Sequence, residues 1–99
     1  MNLLDCLDCG VDTAVICESY MVRDDVWRAA HPAGEGILCV ACLERRLGRE
    51  LEFEDFVWLP INVEAVFAGS KLLRKRLGAS LIMHLLEMRG VARKIRRAP

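Results

Sequence analysis

No apolar run in this 99-residue chain is long enough to span a bilayer, and Met1-Asn2-Leu3-Leu4-Asp5 lacks the basic start and apolar stretch of a secretory signal. These absences predict a cytoplasmic protein with no membrane partner, in a compartment where thiols stay reduced. Histidine is scarce. His31 sits in a Pro/Gly-rich loop and is expected to face solvent, and His84 sits on a helix face, so no Ser-His-Asp or Cys-His arrangement can be built. There is no low-complexity segment, and no repeat beyond a paired cysteine motif. Aromatics are only 6% of the chain, so Trp27, Phe53, Phe56, Trp58 and Phe67 are expected in the core rather than as base-stacking platforms. Cysteine is present as five residues, and the odd count argues against a pure disulfide framework.

The length fits one domain, and an apolar fraction of 54% marks a chain that folds. A domain of this size buries a modest core and often needs a staple. The formal net charge is zero, but it is unevenly divided. Residues 1–69 hold 13 acids and 5 bases, a net of −8, whereas residues 70–99 hold 9 bases and a single acid, Glu87, a net of +8. A basic arm of this kind suits an anionic partner. It equally suits docking on the chain's own acidic part or on a second copy, so a homodimer stays open.

What is present is two Cys-x-x-Cys pairs, Cys6-Leu7-Asp8-Cys9 and Cys39-Val40-Ala41-Cys42. Such a turn aims two sulfurs at one point without straining the backbone, and two turns supply the four soft ligands of a tetrahedral structural Zn²⁺. Gly10 follows the first pair and lets the chain turn at positive φ, so that backbone N–H groups point at the sulfurs. Four thiolates complete the zinc shell and leave no open position for substrate or water. The expectation is therefore no enzyme and no small-molecule substrate. Cys17, the fifth cysteine, reads as a small apolar core residue.

Along the chain, 15–17 and 20–22 read as short strands and Asp24-Asp25 as the start of a short helix through Ala30. A loop at 31–36 and a short strand at 37–38 follow. Cys42 falls in the first turn of a helix that ends near Leu47, with Gly48 as its C-cap and Leu43 and Leu47 facing the core. Residues 50–56 suit an acidic helical turn, and 57–62 an extended segment near Pro60. Residues 63–68 remain open between helix and strand. From Ser70, an N-cap residue, Leu73, Leu77, Leu81 and Leu85 recur every four positions. They predict one amphipathic helix running to Gly90, weakened at Gly78, with a basic tail after it.

The order of a knuckle ending in Cys6-x-x-Cys9-Gly10, an insert, and a second pair at a helix start resembles a treble-clef zinc finger. Trp27-Arg28 upstream of Leu38-Cys39-Val40-Ala41-Cys42 is similar to GATA-type fingers, although the insert is longer here, covering residues 10–38. The stretch Tyr20 to Trp27, with Leu38 to Arg49 and Asp55-Phe56, also resembles small uncharacterised zinc-finger-like proteins of bacterial and phage genomes, over roughly residues 6–62. HNH nucleases share the treble-clef frame. Their chemistry needs a histidine base and His or Asn ligands for a second metal, which this chain does not supply.

The resulting expectation is an α+β treble-clef-like finger over residues 1–69, with a basic amphipathic helix and tail at 70–99 packed on it. Cys6, Cys9, Cys39 and Cys42 would hold one structural Zn²⁺. DNA or RNA would be met by Arg45, Arg46 and Arg49 on the zinc helix, by Lys71, Arg74, Lys75 and Arg76, and by Arg93, Lys94, Arg96 and Arg97 in the tail. The alternative is an adaptor that meets a protein partner through the leucine stripe and the acidic finger face.

Overall fold

The computed structural model describes residues 3–88. In order, α1 spans Asp24–Ala30, α2 Val40–Leu47, a 3-10 turn Phe53–Asp55, α3 Pro60–Ala68, α4 Lys71–Arg76 and α5 Ala79–Met88. α1 packs on α2, and α3, α4 and α5 pack on one another. Extended pairing among the described residues amounts to three isolated bridges, Asp5 with Asp12, Cys6 with Ile37 and Val22 with Phe56. The expected α+β class thus gives way to five helices with almost no strand.

The two missing strands have local causes. At 13–17 the Asp12 carboxylate accepts the N–H groups of Ala14 and Val15 and bends the chain into a turn. Cys17 closes that turn at φ 60°, a left-handed conformation no strand contains. At 20–22 backbone pairing is confined to a single bridge, Val22 with Phe56, with the Val57 N–H donating to the Met21 carbonyl at 3.3 Å, and a side chain takes the rest. Asn62 accepts the Met21 N–H at 2.9 Å, and its Nδ2 donates to the carbonyls of Met21 and Val57. One buried amide therefore satisfies backbone groups that a neighbouring strand would otherwise take.

The helix expected over 70–90 is broken in two. Ser70 caps α4 as read from the sequence, accepting the Leu73 N–H at 3.0 Å. Gly78 then adopts φ +71° and redirects the chain into α5. A side chain there would be strained, so the glycine permits a turn rather than merely weakening a helix. The break also divides the leucine stripe. Leu73 and Leu77 are fully buried, while Leu81 and Leu85 are 62% and 49% exposed. α5 instead turns Ala79, Ile82 and Met83 toward the core. Pro60 stands at the first position of α3, where its missing N–H costs nothing, so the extended segment ends at Leu59.

A single core runs through both ends of the molecule, with Leu38, Val40 and Leu43 beside the cysteines and Val66, Leu73 and Leu77 from the later helices. Phe56 joins it and Trp27 packs at its edge, but Phe53, Trp58 and Phe67 are 41–46% exposed, against the expectation that these rings fill the core. Cys17 is exposed as well. The two ends meet across a polar seam. Buried Glu18 accepts the Val40 N–H at 2.9 Å and the Ser70 hydroxyl at 2.7 Å, tying the start of α2 to the start of α4. Arg76 donates to Glu44 at 2.7 Å and to Glu50 at 2.8 Å. Among the described residues no buried side-chain N or O lacks a partner.

Candidate metal centre

Cys6, Cys9, Cys39 and Cys42 converge on one point. Their sulfurs all lie within 4.8 Å of one another, and none is in a disulfide. The Cys9 and Cys39 sulfurs are 3.8 Å apart. A metal–sulfur bond of about 2.3 Å requires tetrahedral edges of about 3.8 Å, so the donor set fits one metal ion. Three of the cysteines are buried, and Cys9 is exposed at the rim.

The first pair is a knuckle. Gly10 donates to the Cys6 carbonyl at 2.9 Å, Cys6 donates to Val11 at 2.7 Å, and Gly10 has the expected positive φ. The second pair opens α2, with Cys39 as N-cap and Cys42 in the first turn. The two are held in register by Leu7 N–H donating to the Ile37 carbonyl at 2.9 Å. Gly36 makes that register available. It sits at φ +90°, and a Cβ there would lie 2.8 Å from a Leu7 methyl carbon.

The thiols are electrostatically unequal. Burial works against ionisation of Cys6, but backbone N–H groups of Cys39, Cys9 and Asp8 aimed at its sulfur overcome it and bring the pKa down to about 6. Burial pushes Cys39 and Cys42 up, and for Cys42 the neighbouring sulfurs add to the rise. The pocket therefore holds one readily ionised thiol, Cys6, and two, Cys39 and Cys42, that resist ionisation until a cation compensates them, as expected where metal binding releases protons.

A polar frame surrounds the knuckles. Arg46 grips Asp8 with two bonds, at 2.6 and 2.8 Å, and donates to His31 Nδ1 at 3.0 Å. His31 Nε2 then donates to the Glu35 carbonyl at 2.6 Å, which assigns the tautomer. Hydrogen bonding to Arg46 holds the Asp8 carboxyl below the usual range. His31 is thus half-buried and bonded at both nitrogens rather than facing solvent. Tyr20, whose phenol is pushed up by burial, donates to the Leu38 carbonyl at 2.7 Å just before Cys39.

The cationic residues nominated for phosphate contact are divided. Arg46 is held by Asp8, Arg49 by Asp55 at 2.7 and 3.0 Å, and Arg76 by Glu44 and Glu50. These three hold the fold together. Arg45, Lys71, Arg74 and Lys75 are exposed, and Arg74 also donates to the Val66 carbonyl at 2.9 Å. Lys71, Arg74 and Lys75 share a concavity of about 460 Å³ with Gly78 and Ser80. Arg93, Lys94, Arg96 and Arg97 lie outside the described residues. Sequence reasoning missed Glu18 and Asn62, buried polar residues that join the two ends, and Asp55, which holds Arg49 and the Glu52 N–H. Ordinary acid and amide letters in an acidic chain carry no signal of burial.

A second surface lies at the far end. Phe53, Trp58, Val63, Phe67, Ile82 and Leu86 line an apolar groove of about 370 Å³. The Phe53 and Trp58 rings are 5.1 Å apart. No helix among the described residues is long and apolar enough to cross a membrane. Comparison of the chain with protein-family models, with curated proteins and with solved structures returns no match, so the metal site and the two surfaces stand on their own geometry.

Proposed function

We propose that this chain is a non-catalytic zinc protein, finger-like around its metal, that serves as a protein-interaction adaptor. Four sulfurs suit zinc in a reducing compartment, and a filled four-sulfur shell gives the metal a structural task. The observation that carries the adaptor reading is the apolar groove. Contiguous exposed apolar surface with aromatic rings at its centre marks interaction sites on small proteins. Three of the seven nominated cations among the described residues are consumed by internal ion pairs, which shifts the balance away from phosphate binding.

The test is retention of a purified protein partner by nuclease-treated, zinc-loaded chain and by its Phe67→Ser variant. We expect the wild type to retain the partner and the variant to lose it with metal content unchanged. Retention by both equally would exclude the groove.

A second reading, nucleic-acid binding, is favoured by the concavity of Lys71, Arg74 and Lys75. It predicts salt-sensitive binding of duplex or single-stranded oligonucleotides. Lys71→Glu/Lys75→Glu would weaken that binding and lower its salt slope by about 2. Absence of binding at low salt would remove this reading.

A further inference from the structure

α5 carries no charged residue from Ala79 through Leu86. The polar residues of α5, Ser80, His84 and Glu87, fall on one narrow stripe, and apolar residues take the rest of its circumference, more than one packed face covers. Here one side is covered: Ala79 is buried, and Ile82 and Met83 pack on the core. The adjoining side is not. Leu81 and Leu85 stand exposed one turn apart, and Leu85 lies next around the helix from Ile82, which forms a wall of the groove. The same helix therefore offers a protruding leucine pair and, beside it, a hollow lined by Phe53, Trp58 and Phe67.

Charge follows the same division. Glu52 and Glu54, both exposed, flank Phe53 in the chain, so the Phe53 end of the groove is bordered by acids. The leucine side is basic: Leu81 lines one concavity with Lys71 and Lys75 of α4, both exposed. A basic knob and an acidic hollow on one chain are complementary to each other. A two-fold arrangement satisfies both at once, each copy giving its knob and receiving the other's.

Resting on the adaptor reading of the groove, we infer that its occupant is a second copy of this chain. Leu81 and Leu85 of each copy seat in the Phe53/Trp58/Phe67 groove of the other, and the result is a closed dimer. Zero net charge removes the long-range repulsion that would oppose such pairing.

The experiment is sedimentation velocity with native mass spectrometry on full-length, zinc-loaded, nucleic-acid-free protein across the micromolar range. The expected result is a dimer carrying two metal ions. Leu85→Glu, on the knob, and Phe67→Ser, in the hollow, should each shift it to monomer, with metal content and far-UV circular dichroism unchanged. Because both side chains are about half exposed, the monomer should still fold. If Leu85→Glu fails to fold, isotope-filtered NMR on mixed labelled and unlabelled wild type reads the same contact. Leucine methyl signals of one copy should show cross-peaks to Trp58 and Phe67 ring protons of the other. A wild-type monomer at every concentration, or growth beyond a dimer, overturns the proposal. A monomer that still retains a different protein through Phe67 overturns the second copy and leaves the adaptor reading standing. A monomer that retains nothing removes both.

Discussion

The two ends of this molecule solve the same problem differently. The cysteine end, residues 3–47, has two short helices, and beside its share of the core it carries four convergent sulfurs and the polar frame of Arg46, Asp8 and His31. The end from residue 53 to residue 88 has four short helical elements and no cysteine, and its order comes from apolar packing around Leu73, Leu77 and Val66. The first end exposes Leu3, Leu4, Leu7, Val15 and Met21 but no aromatic ring. The second leaves Phe53, Trp58, Phe67, Leu81 and Leu85 in solvent. A metal ion held by the four cysteines would add a staple to the apolar residues this end already buries, Val22, Val26, Leu38, Val40 and Leu43. The helical end leaves apolar side chains exposed beyond those its core buries, and the proposed adaptor role rests on that excess.

Metal removal should break the comparison most strongly. Structural zinc contributes about 10–16 kcal/mol in finger peptides, at least as much as the stability of a typical small domain, about 5–15 kcal/mol. We expect a strong chelator, or Cys39→Ser, to abolish cooperative unfolding of the cysteine end, with one zinc per chain lost in native mass spectrometry. Because Glu18 joins Val40 to Ser70, the loss should spread into the helices as reduced far-UV ellipticity. A metal-free chain with the midpoint of the loaded one would show that the tetrad does not hold the fold.

Within the helical end, Leu77 and Leu85 look equivalent in sequence, eight positions apart on one stripe, and the structure separates them. Leu77→Ala opens a cavity in a site with no exposure and should cost about 2–5 kcal/mol. Leu85→Ala, measured on dilute monomer, should stay within about 0.5 kcal/mol. Denaturant midpoints of the two variants at equal slope test this directly. Equal losses would mean that α4 and α5 form the single helix the periodicity suggests.

The cysteine tetrad was legible because its spacing is itself the chemistry, and so were the cap at Ser70 and the stop at Gly48. The strands and the long helix were misread because each depended on one residue's conformation. Asp12 could be seen as an acid, but not as the acceptor of two N–H groups. Gly78 could be seen as a weak helix former, but not as the site of a turn. Asn62 occupies an otherwise open stretch, and its role appears only when residues 21 and 57 are brought beside it. Arg46, Arg49 and Arg76 read as surface charge because their acid partners lie 38, 6 and 32 positions away, at separations no local pattern reveals.

The smallest expected effect concerns how the ends respond to acid. Asp55 is buried and accepts two bonds from Arg49 and one from the Glu52 N–H, and the Arg49 bonds hold its carboxyl below the usual range. A depressed carboxyl stabilises the fold above its unfolded pKa of about 3.9, and the contribution disappears as pH falls through the lower folded value. Arg49 is half in solvent, so Asp55→Asn should cost only about 1 kcal/mol at neutral pH. The cysteine end responds at higher pH, because thiolates take up protons in competition with metal. Chemical denaturation of wild type and Asp55→Asn from pH 8 down to about pH 5 should therefore show both losing stability together, with a constant gap between them. A gap that narrows within that range would place the Asp55 pKa near its ordinary value and remove the Arg49 pair from the forces holding the 3-10 turn in place.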